Sequence, residues 1–159
     1  MRKMWCGYGS AGEEGLRTAR RFLWLLRFKV MVNYKHADIT GIIIKAFYNV
    51  YNKLGYGFLE KIYENALCIE LKKFGMDCKM QCPIDVYYDS EKIGFYIADM
   101  IVNNCVIIEV KAAADLCTEH EAQLTNYLRA TEIEVGMLLN FGKTASFKRK
   151  VFSSEYKLS

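Results

Sequence analysis

Three charged residues stand where an apolar core is expected. The run Cys105-Val106-Ile107-Ile108-Glu109-Val110-Lys111-Ala112 is almost wholly apolar, which fits a strand buried on both faces. Glu109 and Lys111 interrupt it, and at two residues apart on a strand they share a face. In the preceding run, Asp99 sits between Ala98 and Met100, in step with Ile97 and Ile101. Acids and lysines are seldom buried without a partner, because an unpaired charge there costs several kcal/mol. An ion pair of Lys111 with Glu109 or Asp99 would meet that need. Two carboxylates beside one ammonium still leave a negative surplus, however. Hard oxygen donors of this kind suit Mg2+ or Mn2+, and Lys111 would then orient a water or stabilise charge on a reacting phosphate.

The elements that must position these residues are legible in the periodicity. Ile39, Ile42, Ile43, Ala46, Phe47, Val50 and Leu54 predict an amphipathic helix over about 37–53. Gly55-Tyr56-Gly57 breaks it. A second helix follows over about 58–74, with Gly75 placed for a left-handed C-terminal cap. The period then drops to two. Strands are predicted at 78–88, where Pro83 points to an edge or a bulge, and at 93–102, 105–112, 134–141 and 147–152. Thr118-Glu119-His120-Glu121 has the form of a capping box, so a third helix is expected over about 119–130. The order is α-α-β-β-β-α-β-β. The Asn103-Asn104 turn sets a register condition. A clean two-residue loop would pair Asp99 with Ile108 and turn Glu109 to the other face. A shared metal requires Asp99 opposite Glu109, hence an odd connection such as Asn103-Asn104-Cys105 with one left-handed Asn, or a bulge.

Asp99 followed by Glu109-Val110-Lys111 resembles the D…E-x-K signature of the PD-(D/E)XK nuclease superfamily. Gly57-Phe58-Leu59-Glu60-Lys61-Ile62-Tyr63 matches G-x-x-E-x-x-Y. With Ala98-Asp99, Glu121-Ala122-Gln123-Leu124, Asn126-Tyr127-Leu128 and Asn140-Phe141-Gly142, the chain is similar over about 34–152 to the small bacterial family named GxxExxY. The resemblance implies an α/β, restriction-endonuclease-like fold. Its α-β-β-β-α-β core has a mixed central sheet flanked by helices. Asp99, Glu109 and the Val110 carbonyl would hold Mg2+ or Mn2+. Lys111, Glu60 and Gln123 would be the catalytic groups, with Tyr63, Tyr127, Lys143 and Lys148 toward substrate. Each has a plainer reading beside it. Glu60 suits the first turn of a helix electrostatically. Tyr63 reads equally as a core aromatic with a satisfied hydroxyl. Gln123 and Tyr127 fit a polar helix face, and Lys143 and Lys148 a solvated one.

The implied activity is metal-dependent hydrolysis of nucleic-acid phosphodiesters, DNA before RNA. The alternative is a non-catalytic nucleic-acid-binding or protein-interaction module on the same fold. A chain this short also admits a homodimer. Composition frames the choice. The 159 residues include 52% hydrophobic and 25% charged residues, which excludes a disordered chain. No apolar run approaches the length of a membrane span. The net charge of +4 is unevenly placed, since residues 1–30 carry +5 and 31–159 carry −1. The 1–30 segment is expected to be a basic extension or dispensable tail outside the domain 31–159, consistent with Met31 as the native start, the alternative being an arm that binds a membrane surface or nucleic acid. Gly7-Tyr8-Gly9-Ser10-Ala11-Gly12 formally matches a dinucleotide fingerprint, but only six residues precede it and no acid sits near residue 32. The six cysteines show no C-x-x-C pair and read as structural, in a cytoplasmic protein.

Overall fold

The structure is a computed structural model, and it describes residues 35–154. The expectations for the 1–30 extension and for Gly7–Gly12 lie outside the described residues. Among the described residues, three helices, α1 (Ala37–Leu54), α2 (Glu60–Lys73) and α3 (Thr118–Arg129), accompany five strands. These are β1 (Cys78–Tyr88), β2 (Glu91–Val102), β3 (Val106–Lys111), β4 (Val135–Asn140) and β5 (Ser146–Val151). The strands form one sheet in sequence order. β3 and β4 run parallel, joined by the crossover through α3, and the other neighbours are antiparallel. This is an α/β fold with a mixed five-stranded sheet, as expected.

Helices cover both faces. Ile43, Ala46, Phe47 and Val50 of α1 and Tyr63, Leu67, Cys68 and Leu71 of α2 pack on Met100, Val102, Val106, Ile108, Val110, Met137 and Leu139. Leu124, Tyr127 and Leu128 of α3 pack on Ile84, Ala98, Ile107 and Leu138 from the opposite side. Phe141 joins the first layer, 4.7 Å from Phe47 edge-on and 4.3 Å from Tyr63 in a stack. Such ring pairs contribute about 1 kcal/mol each beyond their buried area.

The helix ends follow local chemistry. Gly75, at φ 73°, closes α2 with Gly75 N–H donating to Lys72 O and Met76 N–H to Leu71 O. That pair of bonds is the Schellman arrangement. α3 departs from its expected cap. It begins at Thr118, its N-cap is Cys117, and the Cys117 amide donates to His120 Nδ1 at 3.4 Å. The Thr118 hydroxyl turns to Glu119 instead. Pro83 is accommodated because β1 is an edge strand. β2 starts earlier than predicted, since Asp89 and Ser90 both have positive φ and form a two-residue hairpin turn with Tyr88 opposite Glu91.

The β2–β3 connection meets the register condition. Val102 pairs with Val106, Ile101 with Ile107 and Met100 with Ile108, so three residues form the loop. Asn103 and Asn104 are both left-handed, at φ 50° and 53°, where one was expected. Asn103 Oδ1 accepts from the Asp77 amide at 2.8 Å, tying the turn to the start of β1. Continued one step, this register sets Asp99 opposite Glu109.

Candidate functional site

The charged trio converges at the carboxyl end of β3. Alternation puts Glu109 and Lys111 on the face of Ile107, toward α3, while Ile108 and Val110 face α1 and α2. Lys111 Nζ lies 2.8 Å from Glu109 Oε1. Glu109 is only 2% exposed, and its Oε2 is buried with no hydrogen-bond partner among the described residues. β2 stops pairing with β3 after Met100, and the Asp99 carboxylate takes over: Oδ2 accepts from the Val110 amide at 2.8 Å.

The expected face for Asp99 needs correction. The β1–β2 ladder passes from Met80–Met100 to Cys82–Ala98 and skips Gln81 and Asp99. Met100 packs toward α1 and α2, whereas Ala98 packs toward α3. Ile101 packs in the α3 layer with Ala98, three residues away. Strict alternation forbids both relationships, so β2 switches faces at Asp99. Gln81, with φ 52°, is the matching irregularity on β1.

Burial and neighbouring charge act together on the trio. Burial first, then Asp99, pushes the Glu109 carboxyl up to about 7, against the opposing bond and charge of Lys111. Burial also raises Asp99; the Val110 amide opposes that, and the charge of Glu64 adds to it. For Lys111, burial alone lowers the ammonium, but the bond to Glu109 and the charges of Glu109, Glu60 and Asp99 outweigh it and hold it above the usual range. Lys111 is therefore held as a cation beside a carboxylate whose ionisation burial opposes.

Glu60 is the first residue of α2, and its Oε1 accepts from the Ala112 amide at 3.2 Å, just past Lys111. Phe58, Leu59, Glu60, Lys61, Glu64 and Ala112 line an open cleft there. From the other layer, Gln123 Nε2 donates to Tyr127 Oη at 2.6 Å, and Tyr127 Oη donates to Ile97 O at 3.3 Å. Burial raises the Tyr127 phenol, and the charges of Glu109, Asp99 and Lys111 all act on it.

Other expected residues sit apart from the trio. Tyr63 is fully buried; its hydroxyl donates to Gly55 O at 2.9 Å and accepts from the Phe58 amide at 3.2 Å. Its ring lies in the core, away from substrate, and its hydroxyl fixes the largely exposed Gly55–Phe58 turn from beneath. Lys148 is paired with Glu121 of α3, which also takes Lys150 at 3.0 Å. Lys143 is exposed, and its carbonyl accepts from the Tyr51 hydroxyl at 2.8 Å.

Two residues, Glu64 and Gln81, escaped the sequence reading, and Asn140, quoted there within Asn140-Phe141-Gly142, was given no role. Glu64, one turn beyond Glu60, is buried and accepts from Gln81 Nε2 at 2.8 Å and Lys61 Nζ at 2.9 Å. Its spacing from Glu60 was the available signal. Gln81 had none, because its role arises from the break in the ladder. Asn140, fully buried, was visible as the one amide in an apolar strand. Its Oδ1 accepts from the Ala113 amide and its Nδ2 donates to the Ala113 carbonyl, both at 3.0 Å, fixing the turn after Lys111. Gly142 is required beside it, since a Cβ there would lie 1.9 Å from Ala113 O.

Among the described residues, no three His, Cys, Asp or Glu side chains gather into a metal-holding group. The donor set at issue is smaller, two carboxylates and a backbone carbonyl. Its hard oxygens and the unpartnered Glu109 Oε2 fit a divalent cation chemically. No helix among the described residues is long and apolar enough to cross a membrane.

The family model that matches this chain, over residues 37–151, is that of the PD-(D/E)XK nuclease superfamily. No curated protein matches. One similar solved structure is titled "Crystal structure of SSO0001". It is 20% identical with a TM-score of 0.48, and the match covers 62% of this chain and 50% of that one. The chain thus spans half the length of that relative. With the family match running from α1 to the end of β5 and enclosing Asp99, Glu109 and Lys111, the chain belongs to the PD-(D/E)XK nuclease superfamily.

Proposed function

We propose that this protein is a metal-dependent nuclease that hydrolyses phosphodiester bonds of nucleic acid, with DNA the expected substrate. The observation that carries the reading is the buried Glu109 carboxylate, bonded to Lys111 through one oxygen and with no hydrogen-bond partner for the other among the described residues. Such an atom costs free energy in the fold unless something occupies it. Asp99, Glu109 and the Val110 carbonyl would hold Mg2+ or Mn2+. A bound cation of this class supplies Lewis acidity toward the phosphate and lowers the pKa of water.

The chain's own residues do the rest. Lys111 stays cationic at the end of β3 and offsets charge on the reacting phosphate. Glu60, anchored on the Ala112 amide, orients the turn that presents it. Gln123 and Tyr127 supply an amide and a phenol from the α3 side. Lys143 and Lys148 are the candidate phosphate contacts; Lys148 must first leave Glu121. Gly57, at φ 104°, lies in the turn that Tyr63 holds, and Glu60 opens the helix after it and reaches Ala112, which supports closer kinship with the GxxExxY proteins. A cytoplasmic setting and a homodimer belong to the same proposal.

One observation favours a second reading, a non-catalytic nucleic-acid-binding or protein-interaction module: Glu109 already has Lys111 as a partner. The test is incubation with single- and double-stranded DNA and RNA in Mg2+ or Mn2+. Cleavage that disappears in Asp99→Ala and Lys111→Ala is the expected result. Metal-independent binding, unaltered by those substitutions, would establish the module instead.

A further inference from the structure

We infer that Gln81 and Glu64 form a positioning pair that sets the Asp99 carboxylate. The inference deepens the proposed nuclease reading, and for its metal-binding arm it rests on that reading. Neither residue lies in the D…E-x-K signature.

The gap in the β1–β2 ladder is the starting point. Pairing is regular at Met80–Met100 and again at Cys82–Ala98, and between these two pairs Gln81 and Asp99 fall out of it. Gln81 holds φ 52°, a region that residues with a Cβ enter at a cost and keep only when their surroundings enforce it. The enforcement is visible. Gln81 Nε2 donates at 2.8 Å to Glu64 Oε2 on α2, and the Lys61 ammonium fixes the same oxygen at 2.9 Å. Glu64 is 5% exposed, so the bond is sheltered from water. Gln81 is thereby pinned to the helix layer from outside the sheet.

The consequence falls on the strand opposite. Because Gln81 is turned out of the ladder, Asp99 has no backbone partner on β1, and β2 changes face at this point. Asp99 also lies one step beyond the last β2–β3 pair. Its carboxylate is then free to swing across to the Val110 amide, beside Glu109. A continuous β1–β2 ladder would keep Asp99 in strict alternation with Ala98 and Met100, which in this fold pack on opposite faces. Besides its direct charge effect on Asp99, Glu64 positions that residue through Gln81 and is not itself a ligand in this scheme.

The test uses the full chain and two readouts. The first is amide hydrogen exchange at Val110 in metal-free protein, with Ile108 as the internal control. The second is Mn2+ affinity by calorimetry. Gln81→Gly keeps the left-handed backbone accessible while deleting the amide. It should speed Val110 exchange by about ten-fold with Ile108 unchanged, and weaken Mn2+ binding by about ten-fold, the usual cost of losing a ligand-orienting partner. Glu64→Ala should do the same. Glu64→Gln, which still offers an oxygen to Gln81, should restore both toward wild type. Unchanged Val110 exchange in Gln81→Gly overturns the inference whatever the protein's activity. So does a Glu64→Gln variant as impaired as Glu64→Ala, because Glu64 would then act through its charge alone. Wild-type protein that binds no Mn2+ while Gln81→Gly still loosens Val110 overturns the nuclease reading and leaves the positioning pair supported.

Discussion

Lys111 Nζ lies 2.8 Å from Glu109 Oε1, two residues back along β3, and the other oxygen of that carboxylate has no hydrogen-bond partner among the described residues. The pair is therefore half complete. Lys111 neutralises one side of Glu109, while burial and Asp99 push its carboxyl up to about 7.

That shift fixes a pH dependence. The Glu109 carboxyl has its ordinary pKa of 4.5 when unfolded and about 7 when folded, so the folded protein binds the extra proton between those values. Stability of the metal-free protein should thus fall as pH rises from about 4.5 through 7 and then level off, by about 1–3 kcal/mol. A divalent cation needs the ionised form, so its affinity should rise over the same window. Denaturant unfolding across pH, with and without Mg2+, checks both; a metal-free stability that climbs through this window would refute the assignment.

Lys111→Ala separates holding a metal from using it. Removing the ammonium releases Glu109 Oε1, so Mn2+ affinity should hold or increase. Turnover should fall by about 100- to 1,000-fold, the usual loss when a charge-stabilising group is deleted. Calorimetry alongside single-turnover cleavage measures the two quantities, and loss of metal binding would contradict this division of labour between Lys111 and the carboxylates.

Tyr63→Phe tests a core role against a substrate role. The ring stack on Phe141 at 4.3 Å survives, but the bonds to Gly55 O and the Phe58 amide are lost. Stability should drop by about 1–3 kcal/mol as two part-buried hydrogen bonds are lost. KM for nucleic acid should not change, and a raised KM at unchanged stability would return Tyr63 to the substrate surface.

The clamp behind Lys111 is open to the same approach. Asn140→Leu strips both bonds from Ala113, and Gly142→Ala forces a Cβ to within 1.9 Å of Ala113 O. Each should cost about 2–4 kcal/mol. Urea unfolding measures the loss. Gly142→Ala with wild-type stability would mean that this close approach is not maintained in solution.

Removing residues 1–30 deletes the +5 segment and leaves a near-neutral chain. Cleavage by the shortened protein should match the full chain at physiological salt. A large loss of activity with circular dichroism unchanged would make the segment a functional arm.

By itself the sequence determined the order of elements, the sheet flanked by helices and the location of Asp99, Glu109 and Lys111 in apolar strands. Those features follow from local periodicity and motif, and a charge in a buried strand is visible without coordinates. It also determined the loop at Asn103-Asn104, because a shared site and strand alternation together demand an odd connection. Only the tertiary structure decided how Asp99 reaches Glu109. Alternation assumes an unbroken ladder, and the break at Gln81 is imposed by Glu64, 17 residues away on a helix outside the sheet. The fate of Tyr63 was decided in the same way, since Phe141 stacks on it only once α2 lies on the sheet. Contacts between elements cost chain entropy to form and leave no periodic trace in either partner, so no local pattern announces them.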